Sequence, residues 1–233
     1  MKSYLKNAIE KISLEYNDDF IEKLMIYLKL IMEYNSHTNI TAIRDEKGII
    51  EKHFIDSLLL SSLINSNDKS AIDIGTGAGF PGMVLALYKK NIDFTLIDSV
   101  KKKTNFLKIV KDELDVKNVE IINERSEDFI KKNKREYYDL AFCRGVSDLS
   151  VILEYAMPFL KVGGRFLPQK MVGSNEILNA ENALKILKSK IINEYKFELP
   201  YNREERLVIE IEKLSKTDSI YPRKAGSALK KSL

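Results

Sequence analysis

The sequence predicts an α/β fold, in which a doubly wound, mostly parallel sheet ends in an antiparallel hairpin. From Ser70 onward, short apolar strands alternate with amphipathic helices, a pattern typical of parallel strands joined by right-handed crossovers. Near the C-terminus, two further strands are separated only by a polar turn from Pro200 to Glu205. Because this turn is too short for a crossover, the two strands must pair antiparallel.

The N-terminal part of the chain is predicted to be helical. Apolar residues recur there at helical spacing. The stripes are Leu5, Ala8, Ile9 and Ile12, then Phe20, Leu24, Leu28 and Ile31 with Ile21, Met25 and Met32, and then Ile50, Phe54, Leu58 and Leu59 in a helix from about Glu46 to Ile64. Stripes of this kind usually pack into a core, so residues 1–64 are expected to form a helical extension packed on the main domain.

Residues 65–213 are expected to form the main domain and residues 214–233 a C-terminal tail. The parallel strands are predicted at Ala71–Ile74, Asp93–Ile97, Val119–Ile122, Tyr138–Cys143 and Gly164–Pro168. The hairpin strands are predicted near Ile191–Leu199 and Arg206–Glu212. Helices are expected between the strands at about 80–90, 101–114, 126–132, 148–159 and 174–188.

Composition excludes several classes of protein. The chain has 233 residues, of which 31% are charged and 44% hydrophobic, as expected of a globular protein and not of a disordered or membrane-spanning one. The single cysteine, Cys143, excludes an internal disulfide, and together with two histidines it is too little for a zinc site. The first residues carry Lys2, Lys6 and Glu10 and no long apolar run. We therefore expect no secretory signal and a cytoplasmic location.

The charge is unevenly distributed along the chain. The net charge is only +4, from 38 basic and 34 acidic residues. The basic residues are concentrated in two places: the segment from Lys213 to Leu233, with Lys213, Lys216, Arg223, Lys224, Lys230 and Lys231, and the predicted helix at 101–114, with Lys101, Lys102, Lys103, Lys108 and Lys111. A further run at 131–135 is typical of a solvated helix face.

A glycine-rich turn gives the strongest chemical signal. The first predicted strand ends at Asp73-Ile74 and runs directly into Gly75-Thr76-Gly77-Ala78-Gly79-Phe80-Pro81-Gly82. Glycines allow positive φ and let a ligand lie against the backbone. The turn lies at the carboxyl end of the strand, which is where ligands bind in open α/β sheets.

Two classes of cofactor use such a turn. The glycines at 77, 79 and 82 formally match a dinucleotide-binding motif, but Pro81 lacks the N–H that a phosphate would require. Asp73 favours instead a ligand with a cationic amino group, as in S-adenosylmethionine.

Asp98, at the end of the second strand, can accept hydrogen bonds from ribose hydroxyls in either class of cofactor. Ser126, Glu127 and Asp128 follow the third strand, where they could read an adenine edge or simply cap a helix.

With these residues, the chain resembles the bacterial small-subunit ribosomal RNA methyltransferase G family, also called glucose-inhibited division protein B. The segments that carry the resemblance are Tyr34-Asn35, Asn39 through Ile43, Lys52 through Leu58, Asp73 through Gly82, Leu96 through Ser99, Lys102-Lys103, Phe106-Leu107, Arg125-Ser126-Glu127, Arg144, and Tyr221 through Lys224 with Gly226. The His-Phe-x-Asp-Ser and Tyr-Pro-Arg-Lys segments are the specific ones, since many methyltransferases share the glycine turn.

The resemblance implies a class I S-adenosylmethionine-dependent methyltransferase fold, which is a Rossmann-like, seven-stranded sheet. It also implies methyl transfer from S-adenosylmethionine to N7 of a guanosine in 16S rRNA. The positions that match the family's cofactor site are Gly75, Phe80, Ser126, Glu127 and Arg144, and Asp98 matches the ribose-binding acid; Asp73 and Gly77 complete the expected cofactor set. The family's tail usually has prolines where this chain has Ala225, Ala228 and Ser232, so a less rigid tail is expected.

The chemistry of this target requires no catalytic base. Guanine N7 has a lone pair and no proton at neutral pH, so no catalytic residue is predicted and positioning should supply most of the rate.

Arg144, at the end of the fourth strand, could orient the base through O6 and N7, or could form a surface ion pair. Cys143 is expected to be a buried, inert thiol. His37 and His53 are expected to have packing or capping roles.

Phosphate contacts are predicted for five cationic residues, because the family's substrate is a folded RNA. These residues are Lys102, Lys103, Lys170, Arg223 and Lys224. The expected partner is 16S rRNA or the small ribosomal subunit, with no membrane, no metal and no obligate protein partner. Two alternatives stay open: a methyltransferase of another substrate, either a small molecule or another RNA, and a non-catalytic RNA-binding protein on a methyltransferase scaffold. A nicotinamide oxidoreductase is disfavoured by Pro81.

Overall fold

A computed structural model describes all residues except Asn133 and Ser174, and it contains one seven-stranded sheet. The strands are β1 (Ser70–Ile74), β2 (Asp93–Ile97), β3 (Val119–Ile122), β4 (Tyr138–Arg144), β5 (Leu160–Lys170), β6 (Ser189–Glu198) and β7 (Glu205–Lys213). The helices are α1 (Lys2–Lys11), α2 (Asp18–Asn35), α3 (Glu46–Ile49), α4 (Asp56–Leu58), α5 (Gly82–Tyr88), α6 (Lys101–Glu113), α7 (Ser126–Phe129), α8 (Leu149–Ala156), α9 (Glu176–Asn179), α10 (Glu181–Ile186) and α11 (Ser227–Lys230).

The strand order is β3-β2-β1-β4-β5-β7-β6. β1 pairs in parallel with both β2 and β4, and the parallel pairing continues outward to β3 and β5. β7 is antiparallel to its two neighbours, β5 and β6. This arrangement confirms the predicted fold, and it puts the switch in strand order between β1 and β4, where ligands bind in doubly wound sheets.

Several predicted bounds were wrong. β5 is longer than Gly164–Pro168, because β4 and β7 pair with it on both sides. The predicted helix from Glu46 to Ile64 is helical but changes type, with a π-helical turn at Ile50–Ile55 and a 3₁₀ turn at Leu59–Leu63. The helix expected at 126–132 ends at Phe129.

Two other predicted helices also differ. The helix expected at 80–90 begins two residues later, because the backbone N–H of Gly82 is bound by the side chain of Asp73. The stretch expected as one helix at 174–188 is two short helices, α9 and α10, and its predicted first residue, Ser174, lies outside the described residues. Periodicity identified the helical regions correctly but could not detect these local changes in hydrogen bonding.

The N-terminal helices pack on the sheet through the predicted apolar stripes. The stripe residues of α1 and α2 belong to the same buried cluster as apolar residues of α5, β2 and α6, and only Ile12, Met25 and Met32 are partly exposed. Within the described residues, no helix is long and apolar enough to cross a membrane.

Tyr27 links helix α2 to the glycine-rich turn. Its ring is fully buried and lies 5.5 Å from the ring of Phe54, 5.6 Å from that of Phe80 and 6.2 Å from that of Phe106, centroid to centroid. Its hydroxyl donates a hydrogen bond to the backbone carbonyl of Ala78. The N-terminal extension therefore supports the turn directly.

Replacing Tyr27 with Phe should lower the free energy of unfolding by about 1–2 kcal/mol, because the buried carbonyl of Ala78 loses its donor. Urea unfolding followed by circular dichroism measures this change. Tyr137→Phe is the matched control, since Tyr137 is 49% exposed, and it should leave the stability unchanged. Equal unfolding midpoints for the two variants would contradict the proposed support of the turn.

Candidate functional site

The glycine-rich turn connects β1 to α5 at the carboxyl edge of the sheet. Gly75 and Gly77 have φ angles of +70° and +63°, in the left-handed region that favours glycine. A Cβ added at Gly75 would lie 2.5 Å from Cγ2 of Val146, which belongs to the loop after β4. The turn therefore brings bare backbone next to the end of β4.

Asp73, on β1, stabilises this turn by hydrogen bonds from the sheet side. Its side chain is fully buried, and Oδ2 accepts hydrogen bonds from Thr76 Oγ1 (2.6 Å) and from the backbone N–H of Gly82 (2.8 Å). Oδ1 has no hydrogen-bond partner among the described residues, and burial raises the pKa of the carboxyl to about 6. The side chain is fully buried behind the turn that it holds, and its contact with a cationic ligand stays a prediction.

Asp98 lies at the rim, as predicted, one strand away from the turn. Oδ2 accepts a hydrogen bond from the backbone N–H of Gly77 (2.9 Å), and Oδ1 accepts one from the N–H of Val100 (2.8 Å). Lys103 Nζ lies 3.8 Å from Oδ2. Each carboxylate oxygen has more than one acceptor position, so Asp98 is held rigidly and can still accept hydrogen bonds from a ligand.

A cavity of about 330 Å³ opens beside the turn, and we name it the glycine-turn cavity. Of the predicted cofactor residues, it is lined by Gly75, Asp98, Ser126 and Glu127. The other lining residues are Ile74, Ile97, Ser99, Val100, Lys103, Glu124, Arg125, Gly145, Val146, Tyr155 and Leu229. Glu127 accepts a hydrogen bond from Ser126 Oγ (3.1 Å), so the two residues form one polar edge.

A second cavity, of about 560 Å³, adjoins the glycine-turn cavity, and we name it the Arg144 cavity. Gly145 and Val146 line both cavities, so the two share this edge. The other lining residues are Ile43, Lys52, His53, Asp56, Arg144, Ser147, Gln169, Lys170, Met171, Glu176 and Arg206. Both the N-terminal helical segment and the sheet thus contribute to this cavity.

Arg144 is fixed by residues of the N-terminal segment. Nη1 donates to the carbonyl of Lys52 (3.0 Å) and to Asp56 Oδ2 (2.8 Å), and Nη2 donates to His53 Nδ1 (3.0 Å). The guanidinium also lies over the ring of Phe80, 5.4 Å from its centroid. Arg144 lines the Arg144 cavity and is not among the residues that line the glycine-turn cavity.

Asp56 balances the charge at the bottom of this cavity. It is 2% exposed, and its Oδ1 lies 3.3 Å from Arg206 Nε and 3.1 Å from Gln169 Nε2. A buried carboxylate requires such partners to offset its lost hydration. Gln169 Oε1, also buried, has no hydrogen-bond partner among the described residues.

Phe80 supports the site without lining either cavity. Its side chain is 4% exposed, and its ring is stacked on the ring of His53 at 4.3 Å and 9°. The resemblance implied that Phe80 lines the cofactor site. In the structure its side chain instead holds His53 in place, and through His53 it also steadies Arg144.

The predicted RNA-binding residues fall into two groups. Lys102 and Lys224 are exposed, and Lys103 reaches toward Asp98. Lys170 and Arg223 are not free cations, because Lys170 Nζ lies 2.5 Å from Glu176 Oε2 and Arg223 Nη2 lies 2.6 Å from Glu154 Oε2. A buried or half-buried cation with an acidic partner has less charge to offer a phosphate, and for these two side chains the phosphate contact stays a prediction.

Sequence reasoning missed the functional part of the N-terminal segment. Asp56 was noted only within the His-Phe-x-Asp-Ser segment, and Gln169, Arg206 and Glu154 carried no signal that pointed to them. The signal that could have identified Asp56 is a carboxylate on an apolar helical stripe, where a charge requires a partner.

The structure offers neither a nucleophilic thiol nor a metal centre in the part that it describes. Cys143 is 2% exposed, and burial raises the pKa of its thiol, which confirms the prediction of an inert cysteine. The described residues contain no group of three or more His, Cys, Asp or Glu side chains placed to hold a metal ion.

Comparison with known proteins relates the chain to ribosomal RNA methyltransferases. Residues 20–204 match the family model described as rRNA small subunit methyltransferase G. The ribosomal RNA small subunit methyltransferase G of Fusobacterium nucleatum subsp. nucleatum is 61% identical over 233 residues, which cover 100% of both chains. The protein of the same name from Acetivibrio thermocellus is 39% identical over 93% of this chain and 90% of its own.

Among solved structures, the fold resembles that of M. jannaschii TYW2 in complex with AdoMet. The TM-score is 0.55 at 16% identity, over 69% of this chain and 76% of that one. At this level of identity the likeness concerns the fold alone, and it agrees with the sheet described above.

His53 should remain neutral, with its proton on Nε2. Because a guanidinium can only donate, Nδ1 must accept from Arg144, and Nε2 then donates to Thr41 Oγ1 at 2.7 Å. Burial, with the nearby charge of Arg144, lowers the pKa of His53 to about 3. Imidazole ¹⁵N spectra of a His37→Asn variant, which keeps His53 as the one histidine, should show the Nε2–H tautomer unchanged from pH 8 to pH 5. A titration with a midpoint above pH 6 would contradict this geometry.

Proposed function

The chain belongs to the rRNA small subunit methyltransferase G family, and from this premise we propose that it transfers the methyl group of S-adenosylmethionine to N7 of a guanosine in 16S rRNA. The observation that carries the proposal is the pair of adjoining cavities at the switch in strand order. One has a carboxylate suited to a ribose, the other has a fixed guanidinium, and Gly145 and Val146 line both. A methyl donor in the first cavity and a base in the second would meet at this shared edge.

The residues of the glycine-turn cavity fit S-adenosylmethionine. The left-handed backbone at Gly75 and Gly77 gives close access to the chain, and Asp98 can accept hydrogen bonds from the ribose hydroxyls. Ser126 and Glu127 supply a polar edge for the adenine. When bound, this cofactor supplies an electrophilic methyl group on a sulfonium, which leaves as a neutral thioether.

The Arg144 cavity fits a guanine. The Nε–H and one N–H of Nη2 of Arg144 make no hydrogen bond within the described residues, so they are available for guanine O6. Gln169 Oε1 is an acceptor of the kind that the N1–H and 2-amino groups of guanine require. The cavity thus presents donors for guanine O6, with the amide of Gln169 in its lining.

The chemical step then needs position and charge balance but no base. With the donor bound, the site would have to hold N7 in line with the methyl group, whose transfer to the N7 lone pair would leave the positive charge on the base. No proton has to be removed, which agrees with a His53 that is already fully hydrogen-bonded and held neutral. Asp56 compensates the positive charge of the Arg144 guanidinium. Arg144 can therefore bind O6 without strongly opposing the positive charge that develops on N7.

The proposed RNA surface consists of three cations that keep solvent exposure, of which Lys103 also lies 3.8 Å from Asp98. Lys102 is exposed on α6, Lys103 lies at the rim of the glycine-turn cavity, and Lys224 is exposed on the tail. We assign to these three residues the phosphate contacts with 16S rRNA or the small ribosomal subunit, and such a substrate places the reaction in the cytoplasm.

Incubation with labelled S-adenosylmethionine and undermethylated small-subunit RNA should label one guanosine, identified as 7-methylguanosine by mass spectrometry. Naked 16S rRNA and assembled subunits are tested side by side, because either can be the substrate. Gly75→Val is the inactive control, since a side chain there collides with Val146 and lies on a left-handed backbone. Label on another base, or labelling of small molecules in the absence of RNA, would contradict the proposal.

Replacing Arg144 with Lys should lower kcat/KM for the RNA by about 100-fold, because a lysine cannot hold the base in the same position. Binding of S-adenosylmethionine, measured by calorimetry, should change less than about threefold, since Arg144 lies outside the glycine-turn cavity. Arg203→Lys, at an exposed arginine paired with Glu198, is the matched control. If cofactor binding falls as far as the rate, Arg144 belongs to the cofactor site instead.

A further inference from the structure

The C-terminal tail is attached to the domain beside the glycine-turn cavity. The backbone N–H of Arg223 donates to Glu154 Oε1 (2.7 Å), its Nε lies 3.0 Å from both carboxylate oxygens, and its Nη2 lies 2.6 Å from Oε2. Glu154 is on α8 and is 1% exposed. A carboxylate buried to this degree needs a hydrogen-bonded cation, so the tail is fixed at this point.

Beyond this anchor, the tail turns toward the cavity. Gly226 has a φ angle of +80°, and no atom lies within 4 Å of an added Cβ, so the left-handed backbone and not lack of space calls for glycine. The N–H of Gly226 donates to Glu127 Oε1 at 3.1 Å. Ala228, two residues later, is 2% exposed and packs in the core beneath.

Leu229 completes the turn and lines the glycine-turn cavity. It is 61% exposed, so much of this apolar side chain is left uncovered at the site. Tyr155, the residue after Glu154, lines the same cavity from α8. The tail therefore contributes to the lining of this cavity. It is held there by the Arg223–Glu154 and Gly226–Glu127 contacts, which join residues 69 and 99 positions apart in sequence.

We propose that residues 226–229 are part of the cofactor-binding site and that Leu229 packs against the nucleoside part of the bound cofactor. This inference rests on the proposed cofactor. The exposed leucine gains apolar contact when a planar base covers it. The N–H of Gly226 holds the carboxylate of Glu127, and with it the polar edge formed with Ser126, in a fixed orientation.

The absence of tryptophan from the chain makes a direct test possible. In a Leu229→Trp variant, titration with S-adenosylhomocysteine should change the indole emission and saturate at the Kd measured by calorimetry. Leu214→Trp is the matched control, because Leu214 is also an exposed leucine near the start of the tail, at 47%, and lies outside the cavity. Its emission should not change. Unchanged emission from the tryptophan at 229 during binding that calorimetry detects would overturn the inference.

A second pair of variants measures how much Leu229 contributes to the free energy of cofactor binding. Leu229→Ala should weaken S-adenosylhomocysteine binding by about 5- to 10-fold, through loss of apolar contact, while Leu214→Ala should leave Kd unchanged. Equal Kd values for wild type and Leu229→Ala would overturn the inference, as would equal weakening in both variants. Because neither titration contains RNA, failure of this inference and failure of RNA methylation are separate results.

Discussion

The buried ion pair between Asp56 and Arg144 determines the architecture of the site. It joins a short helix of the N-terminal segment to the last residue of β4, at 2.8 Å and largely out of contact with water. Each partner would be costly to bury alone, and Arg206 and Gln169 satisfy the second carboxylate oxygen. As a result, the loop that starts at Gly145 leaves the sheet at one defined place, and Gly145 and Val146 of that loop line both cavities.

The N-terminal extension is therefore as much a part of the site as the sheet. Tyr27 supports the glycine-rich turn through the carbonyl of Ala78, and His53 connects Phe80 to Arg144. Asp73 holds the same turn from the sheet side at the expense of a buried carboxyl with a raised pKa. The turn is thus held from both sides and does not need a ligand to define its shape.

The parts that could be predicted from sequence are those whose cause is local. The mostly parallel sheet followed from the alternation of strands and helices, and Gly75 and Asp98 followed from their places at strand ends. The partners of Asp56, Tyr27 and Glu154 lie 88, 51 and 69 residues away, so no local pattern could reveal them. For the tail, the sequence indicated a basic charge and less rigidity, whereas the packing of Ala228 and the Arg223–Glu154 pair fix it beside the cavity.

The central claim is that the two cavities bring one guanosine N7 of 16S rRNA to the methyl donor. It is tested most directly by mapping the modified nucleotides of 16S rRNA by mass spectrometry, in cells with and without this protein. The account predicts that a single 7-methylguanosine disappears from the cells that lack the protein and returns when the wild-type chain, but not Gly75→Val, is restored. An identical set of modifications in both cells, or the loss of a methyl group from any other atom, would contradict it.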